Sequence, residues 1–304
     1  MVSIIDIGSN TIRMGVYLLE SGEIRPLLAS KFSCGLAGYR MKNEQGEFLS
    51  EEGVRELLRI LHQFRRAVNG MPDVRVRVIA SACMRGLSNE KEILARVLEE
   101  TGFAIDIMSG EEEAFYGYYA IAKGLREPIG LLCDCGGGST EIACFSGEKI
   151  LQSYTFPVGS LQSYRDTVQG VFPTKEELQA IREMTYDWVQ VLSMDTHGIS
   201  VIETLGGSMR TAIPLAETLL DREEGNQELT RDEIQKLLEL YQEDSVFFLK
   251  SLLRVKPERV HTLLPGLAIQ SAVMDALGCD RVRVYETGVR EGYLLRKLEE
   301  EGLL

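Results

Sequence analysis

The sequence predicts an α/β protein of two domains, on three observations. Segments with strand character alternate with segments whose apolar residues recur at helical spacing. A strand–turn–strand unit at the start returns after residue 129. The chain has 304 residues, 44% of them hydrophobic, enough to bury a large core and long enough to favour two domains. The expected division is 1–122 and 123–304.

The first half opens with a strand over Val2–Ile5, a turn at Asp6-Ile7-Gly8-Ser9-Asn10 and a second strand from Thr11 to Leu19, ending at Ser21-Gly22. This is a hairpin with a polar, glycine-bearing tip. Ser50 stands where an N-cap is needed for a helix running to Asn69, because Val54, Leu57, Leu58, Leu61, Phe64 and Val68 recur at helical spacing behind an acidic first turn. A strand at Val74–Ile79, a helix over Glu90–Glu100 stopped by Gly102, a strand at Phe103–Met108 and a helix from Gly110 follow.

From Ile129 the pattern restarts: a strand to Cys133, the turn Asp134-Cys135-Gly136-Gly137-Gly138, a strand over Ser139–Phe145, a Ser146-Gly147 turn and a third strand to Phe156. Thr174 with Glu177 and Thr230 with Glu233 form capping-box pairs at two helix starts, and further helices are expected over Met209–Leu220 and Gly266–Leu277. A strand at Arg281–Tyr285 precedes an amphipathic helix over Val289–Glu300, and residues 290–304 are expected to pack back on the first domain. Trp188, with Tyr186 and Val189, reads as core or interface.

Charge and composition exclude several classes. Thirty-three Lys and Arg against 46 Asp and Glu leave a formal net charge of −13 with the acids scattered, which argues against general affinity for nucleic acid or an anionic membrane. No stretch approaches the roughly 18 apolar residues of a membrane span, and the start MVSIIDIGSN has no basic leader pattern, so a cytoplasmic protein is expected. The six cysteines (34, 83, 133, 135, 144 and 279) form no CxxC pair, and His62, His197 and His261 stand apart, so buried reduced thiols are expected rather than a zinc site or a cysteine nucleophile. No GxSxG elbow, Walker lysine loop or HExxH occurs.

Two features carry chemistry. Asp6-Ile7-Gly8-Ser9-Asn10-Thr11 and Asp134-Cys135-Gly136-Gly137-Gly138-Ser139-Thr140 are equivalent strand–turn–strand tips 128 residues apart. Glycines let backbone amides approach a phosphate, the hydroxyls of Ser9, Thr11, Ser139 and Thr140 add donors, and an aspartate at each tip can hold a divalent cation. An ordinary hairpin turn accounts for either tip alone and poorly for the pair. The second feature is Ser109-Gly110-Glu111-Glu112-Glu113-Ala114 between a strand and a helix. Acids there favour the helix dipole, and in a phosphate-binding cleft one could also deprotonate water.

These segments, with Ala80-Ser81-Ala82-Cys83-Met84-Arg85, Pro157-Val158-Gly159, Leu264-Pro265-Gly266 and Gly288-Val289-Arg290-Glu291-Gly292, occur in the order that marks the exopolyphosphatase / guanosine pentaphosphate phosphohydrolase family, which the chain resembles in its short two-domain form. The resemblance implies the actin-like ATPase fold, two ribonuclease-H-like α/β domains around a central cleft, and a phosphohydrolase using Mg²⁺. It implies Glu112 and Glu141 as catalytic acids that activate and place water, and Asp134, Asp6 and Glu141 as metal-linked acids. It further implies Gly8, Ser9, Asn10, Thr11, Arg85, Gly136, Gly137, Gly138, Ser139, Thr140, Gly207 and Ser208 as the phosphate-binding set. The implied substrates are inorganic polyphosphate and guanosine pentaphosphate.

The chain departs from the family pattern at Cys135, where an aliphatic residue is usual, at Gln162, near a common basic position, and at His261, where aspartate is common after Arg259. The last two changes and the acidic balance weaken a long polyphosphate track, which Arg85, Arg165, Arg210 and Arg259 could still supply. Two alternatives share the fold: a non-catalytic sensor binding guanosine tetra- or pentaphosphate, and an ATP-dependent kinase of a small metabolite. Exposed apolar helices are compatible with a homodimer, without a residue-level signal for one.

Overall fold

Strand β1 (Val2–Ile7) reads VSIIDI, almost uninterrupted in apolar residues, because helices cover both of its faces. The computed structural model describes residues 1–20, 23–194, 196 and 198–304, so the expected Ser21-Gly22 turn and His197 lie outside the described residues. The first half contains β1, β2 (Thr11–Glu20), β3 (Glu23–Ser33), a small hairpin of β4 (Arg40–Asn43) and β5 (Gly46–Leu49), α1 (Glu51–Asn69), β6 (Arg75–Ala80), α2 (Glu90–Thr101), β7 (Ile105–Ile107) and α3 (Gly110–Ile121). The second half contains β8 (Ile129–Cys135), β9 (Thr140–Ser146), β10 (Lys149–Phe156), α4 (Ser160–Thr167), α5 (Lys175–Gln190), β11 (Val201–Leu205), α6 (Gly207–Leu219), β12 (Glu228–Thr230), α7 (Arg231–Glu243), α8 (Ser245–Val255), α9 (Leu263–Leu277), β13 (Arg281–Val284) and α10 (Val289–Glu300).

Each half has one mixed sheet of the same design. In the first the order is β3-β2-β1-β6-β7, and in the second β10-β9-β8-β11-β13, extended at its edge by β12. The three leading strands of each run antiparallel, and the two that follow run parallel to the first. This duplicated topology is the ribonuclease-H-like sheet of the actin-like ATPase fold.

The local signals act as their chemistry requires. Ser50 Oγ accepts the Gly53 amide at 3.2 Å to start α1, whose buried stripe of Val54, Leu57, Leu61, Phe64 and Val68 faces Ile5 and Ile7. Gly102, at φ 70°, ends α2 in the left-handed conformation that glycine adopts freely. Both capping boxes form, at Thr174–Glu177 and Thr230–Glu233. Strand β3 escapes the periodicity because it is a sheet edge with both faces largely open, and Pro26, which has no amide hydrogen, sits beside the bulge facing Val16/Tyr17. All six cysteines are free thiols, and five are buried. Val189 is buried, whereas Trp188 is 44% exposed and Tyr186 40% exposed. Among the described residues no helix is long and apolar enough to cross a membrane.

The chain divides into two compact units, residues 1–116 with 289–304 and residues 117–288. The division falls inside α3, ahead of the expected 122, and neighbouring tyrosines explain why. Tyr116 packs edge-on against Tyr293 at 5.0 Å within unit 1, while Tyr118 stacks at a tilt on Phe145 at 5.1 Å and donates its hydroxyl to the Gly147 carbonyl within unit 2. The last helix is an integral layer of unit 1: Tyr293, Leu294 and Leu298 close over Val2, Ile4, Ile79 and Met108. Leu294 is fully buried there. Leu294→Ala should lower unfolding stability by about 2–5 kcal/mol in urea titration, against little change for Leu303→Ala at a partly exposed position.

Candidate active site

Each unit presents one glycine loop at the end of its first strand, and the two loops are built alike. In unit 1 the Gly8 amide donates to the Thr11 carbonyl at 3.2 Å; in unit 2 the Gly136 amide donates to the Ser139 carbonyl at 2.9 Å. The carbonyls of Ser9 and Asn10 accept the amides of Ala37 and Gly35 at 3.0 and 2.9 Å. The Gly136 carbonyl accepts the Ser160 amide at 2.9 Å, and the Gly137 carbonyl accepts those of Leu161 and Gln162 at 3.0 and 2.9 Å, all from the first turn of α4. A trans peptide directs its N–H opposite its C=O. Tying these carbonyls down therefore turns the amides of Asn10 and Thr11, and of Gly137 and Gly138, to the other side of each loop, where they line a concavity of the kind that can receive an anion.

Within the first loop, the Asn10 side-chain Nδ2 is buried and has no hydrogen-bond partner. A buried donor left open in this way suits an anionic oxygen. Asp6, at the end of β1, lies opposite Arg13 in the β1–β2 register, so acid and base share one face of the sheet. In the second loop the equivalent cross-strand pair is Asp134 and Glu141, two acids on one face. Glu141 is 1% exposed and accepts the Ser139 hydroxyl at 2.7 Å. Thr140 is fully buried and gives its hydroxyl to the Val158 carbonyl, so it anchors the exit of the loop instead of facing its concavity.

The acidic corner belongs to unit 1. Ser109 and Glu112 form a reciprocal cap at the start of α3: the Ser109 amide donates to Glu112 Oε2 at 2.8 Å and the Glu112 amide to Ser109 Oγ at 3.1 Å. Glu112 is exposed, whereas Glu113 is buried and accepts Arg85 Nη1 at 2.8 Å. The same nitrogen donates to the Met108 carbonyl at 2.8 Å. Arg85 thus bolts together the corner that carries Glu112. Glu113 carries no local mark as the partner of Arg85, because three consecutive glutamates differ only in which side of the helix they face.

Close packing completes the second loop. Gly206, at φ 99°, caps α6, and a Cβ there would lie 2.5 Å from the Cys135 carbonyl oxygen and 3.3 Å from Asp134 Oδ1. A Cβ at Gly207 would strike the Arg259 guanidinium at 2.0 Å, and one at Gly266 would strike Ser208 Oγ at 2.3 Å. Ser208 itself donates to the Thr262 carbonyl at 3.1 Å, which ties α6 to the start of α9. Gly206, Gly207, Ser208 and Arg259 thus gather beside Asp134, Arg210 bonds the Gly206 and Glu286 carbonyls, and Arg165 stays exposed on α4. Burial, then the charge of Asp6, pushes Cys83 up to about 12, and burial pushes Cys135 up to about 12.

Two units of one ribonuclease-H-like topology, each ending its first strand in a glycine loop fronted by an aspartate, define a protein of the actin-like ATPase fold. The chain belongs to the Ppx/GppA phosphatase family, whose model matches residues 16–301. It is 23% identical over 315 residues to Exopolyphosphatase 1 of Mycobacterium tuberculosis, covering 99% of this chain and 89% of that protein. Its fold is similar to that of the Aquifex aeolicus family member (TM-score 0.80, 24% identity, covering 99% of this chain and 98% of that one). An exopolyphosphatase from Cytophaga hutchinsonii is also similar (TM-score 0.83, 18% identity, 98% of each chain covered).

Gly159, just before α4, is the tightest point under the second loop: a Cβ there would lie 2.5 Å from the Gly137 carbonyl and the Gly138 nitrogen, both backbone atoms. Gly159→Ala should cost about 1–3 kcal/mol and shift the amide resonances of Gly136–Gly138. Gly38→Ala, with nothing within 4 Å of its Cβ, should do neither.

Proposed function

We propose that this protein is an exopolyphosphatase that releases terminal orthophosphate from inorganic polyphosphate with the help of Mg²⁺. The observation that carries the reading is the duplicated loop whose bound carbonyls turn its amides toward an anion, in a chain of the Ppx/GppA phosphatase family. Polyphosphate is favoured as substrate because the M. tuberculosis relative is named for it.

Glu112 is the general base. Its Oε2 is engaged by the Ser109 amide, which orients the carboxylate and leaves Oε1 to take a proton from water as the water oxygen attacks the terminal phosphorus. The bond to the bridging oxygen breaks, orthophosphate leaves, and the chain is one phosphate shorter. The reaction has a loose transition state, so holding the phosphoryl oxygens matters more than covalent chemistry. Each loop offers its own hold: the amides of Asn10 and Thr11 with the Asn10 side chain in unit 1, and the amides of Gly137 and Gly138 in unit 2. Arg85 fixes the corner beneath Glu112.

The residues of unit 2 fit Mg²⁺. It binds through one or two carboxylates plus phosphate oxygens and water, without an all-protein cage. Asp134 and Glu141 provide two acids on one sheet face, and among the described residues no cluster of three or more such ligands exists. Asp6 is less suited, since its cross-strand neighbour is Arg13. When bound, Mg²⁺ neutralises charge on the phosphate chain.

Phosphate release should be measured with Mg²⁺ on long polyphosphate, short polyphosphate, guanosine pentaphosphate and ATP. Glu112→Gln should lower kcat by about 10²- to 10⁴-fold with KM and fold retained, because glutamine can still complete the cap with Ser109. A variant that kept most of the wild-type rate would remove Glu112 from the mechanism. Asp134→Asn should raise the Mg²⁺ concentration needed for half-maximal rate at least tenfold, and Asp6→Asn should leave that concentration near the wild-type value. The opposite ranking would move the metal to the first loop.

A further inference from the structure

The small hairpin β4–β5 adds little to the core of unit 1: of its strand residues Leu49 alone is buried, and Met41 is 56% exposed. A two-stranded hairpin is marginal by itself. This one is tied to the segment that follows β6. Asn89 exchanges two hydrogen bonds with the Leu49 backbone, at 3.1 and 2.8 Å, and the Ser88 amide donates to the Glu47 carbonyl at 2.7 Å. Arg40, the first residue of the hairpin, reaches toward the same segment. Its side chain is 21% exposed, pairs with Glu47 through Nη2, and gives Nη1 to the Ala82 carbonyl at 2.6 Å.

Ala82 lies within a turn, Ser81–Arg85, closed by the Met84 amide on the Ser81 carbonyl at 3.0 Å. On one side of the turn the Ser81 amide and the Cys83 thiol both donate to the Ile7 carbonyl, at 3.3 and 3.1 Å. A trans peptide sends its N–H opposite its C=O. Holding the Ile7 oxygen from this side therefore aims the Gly8 N–H at the Thr11 carbonyl, the 3.2 Å bond that closes the first loop. On the other side Arg85 bonds Glu113 and the Met108 carbonyl, and the Met108 amide returns to the Ala80 carbonyl at 2.9 Å. Strand pairing accounts for the Ser81 bond, which continues the β1–β6 ladder past Ala80, but for neither the thiol nor the guanidinium.

We propose that Arg40 is a positioning residue: by holding the Ala82 carbonyl it fixes the Ser81–Arg85 turn, and through Cys83 and Arg85 that turn sets the first glycine loop and the corner of Glu112 together. The chemical role of loop and corner rests on the function proposed above; their hydrogen bonding does not, and amide exchange reads it directly.

Hydrogen–deuterium exchange should be followed residue by residue in wild type, Arg40→Gln, Arg40→Lys, Cys83→Ala and Cys83→Ser. Arg40→Gln should speed exchange of the Gly8 amide and of the Glu113 amide, which is bonded to the Ser109 carbonyl, each about tenfold, with the α1 amides and the Gly136 amide of the second loop unchanged. Arg40→Lys should recover part of that protection, since an ammonium still donates but lacks the planar fork. Cys83→Ala should speed Gly8 about threefold and leave Glu113 at the wild-type rate, and Cys83→Ser, which keeps a donor, should restore Gly8. Wild-type exchange at either amide in folded Arg40→Gln, acceleration spread through α1, or equal exchange at Gly8 in the two Cys83 variants overturns the proposal. If Arg40→Gln fails to fold, Arg40→Lys decides, and wild-type exchange at both amides overturns it. With short polyphosphate, Arg40→Gln should also lower kcat about tenfold at nearly unchanged KM. An unchanged kcat in a variant whose Gly8 and Glu113 exchange has risen overturns the positioning role. Absence of phosphate release by wild type would count against the proposed activity and leave the exchange result standing.

Discussion

The direction of the amides in each glycine loop depends on carbonyls already bonded behind it. Gly35 and Ala37 hold the first loop from behind, and the first turn of α4 holds the second, so the direction of the loop amides is set by the fold itself. Electrostatic catalysis depends on donors that need no reorganisation when charge develops. The glycines contribute chiefly by allowing this approach: at Gly159 the loop backbone is so close that no side chain fits between them. The sheets position the loops, the helices pull the loop carbonyls back, and the exposed amides are the result.

The two halves repeat one plan and differ where it counts. Seven residues beyond the aspartate of each loop, on the adjacent strand, stands its cross-strand partner: Arg13 in the first unit and Glu141 in the second. The same backbone therefore holds an acid beside a base in one copy and two acids together in the other. Like charges opposite one another destabilise a sheet unless something compensates them. Beside both loops lie thiols, Cys83 and Cys135, which burial raises well above the ordinary thiol range.

What was legible in the sequence is what depends on neighbours along the chain. The loop tips, the Ser50 cap, the two capping boxes and the stop at Gly102 are local devices, and each forms as written. The edge strand β3 was not legible, because a strand open on both faces has no alternation to display. Partnerships across long separations were equally hidden. Nothing near Arg85 announces that it will bond Glu113, and nothing near Tyr17 announces Glu291, 274 residues away. The space that Gly15 leaves on β2 is taken up by the ring of Tyr17.

Because unit 1 takes its covering helix from the far end of the chain, the order of synthesis and the order of completion are reversed. As the polypeptide leaves the ribosome, the face formed by Val2, Ile4, Ile79 and Met108 emerges early and has no α10 to bury it until residues 289–304 are made. Unit 2 is contiguous and has all its strands by Val284, so it can close first. The apolar face of the nascent N-terminal unit therefore stays open until α10 is made, and a truncation that stops short of α10 would leave it uncovered.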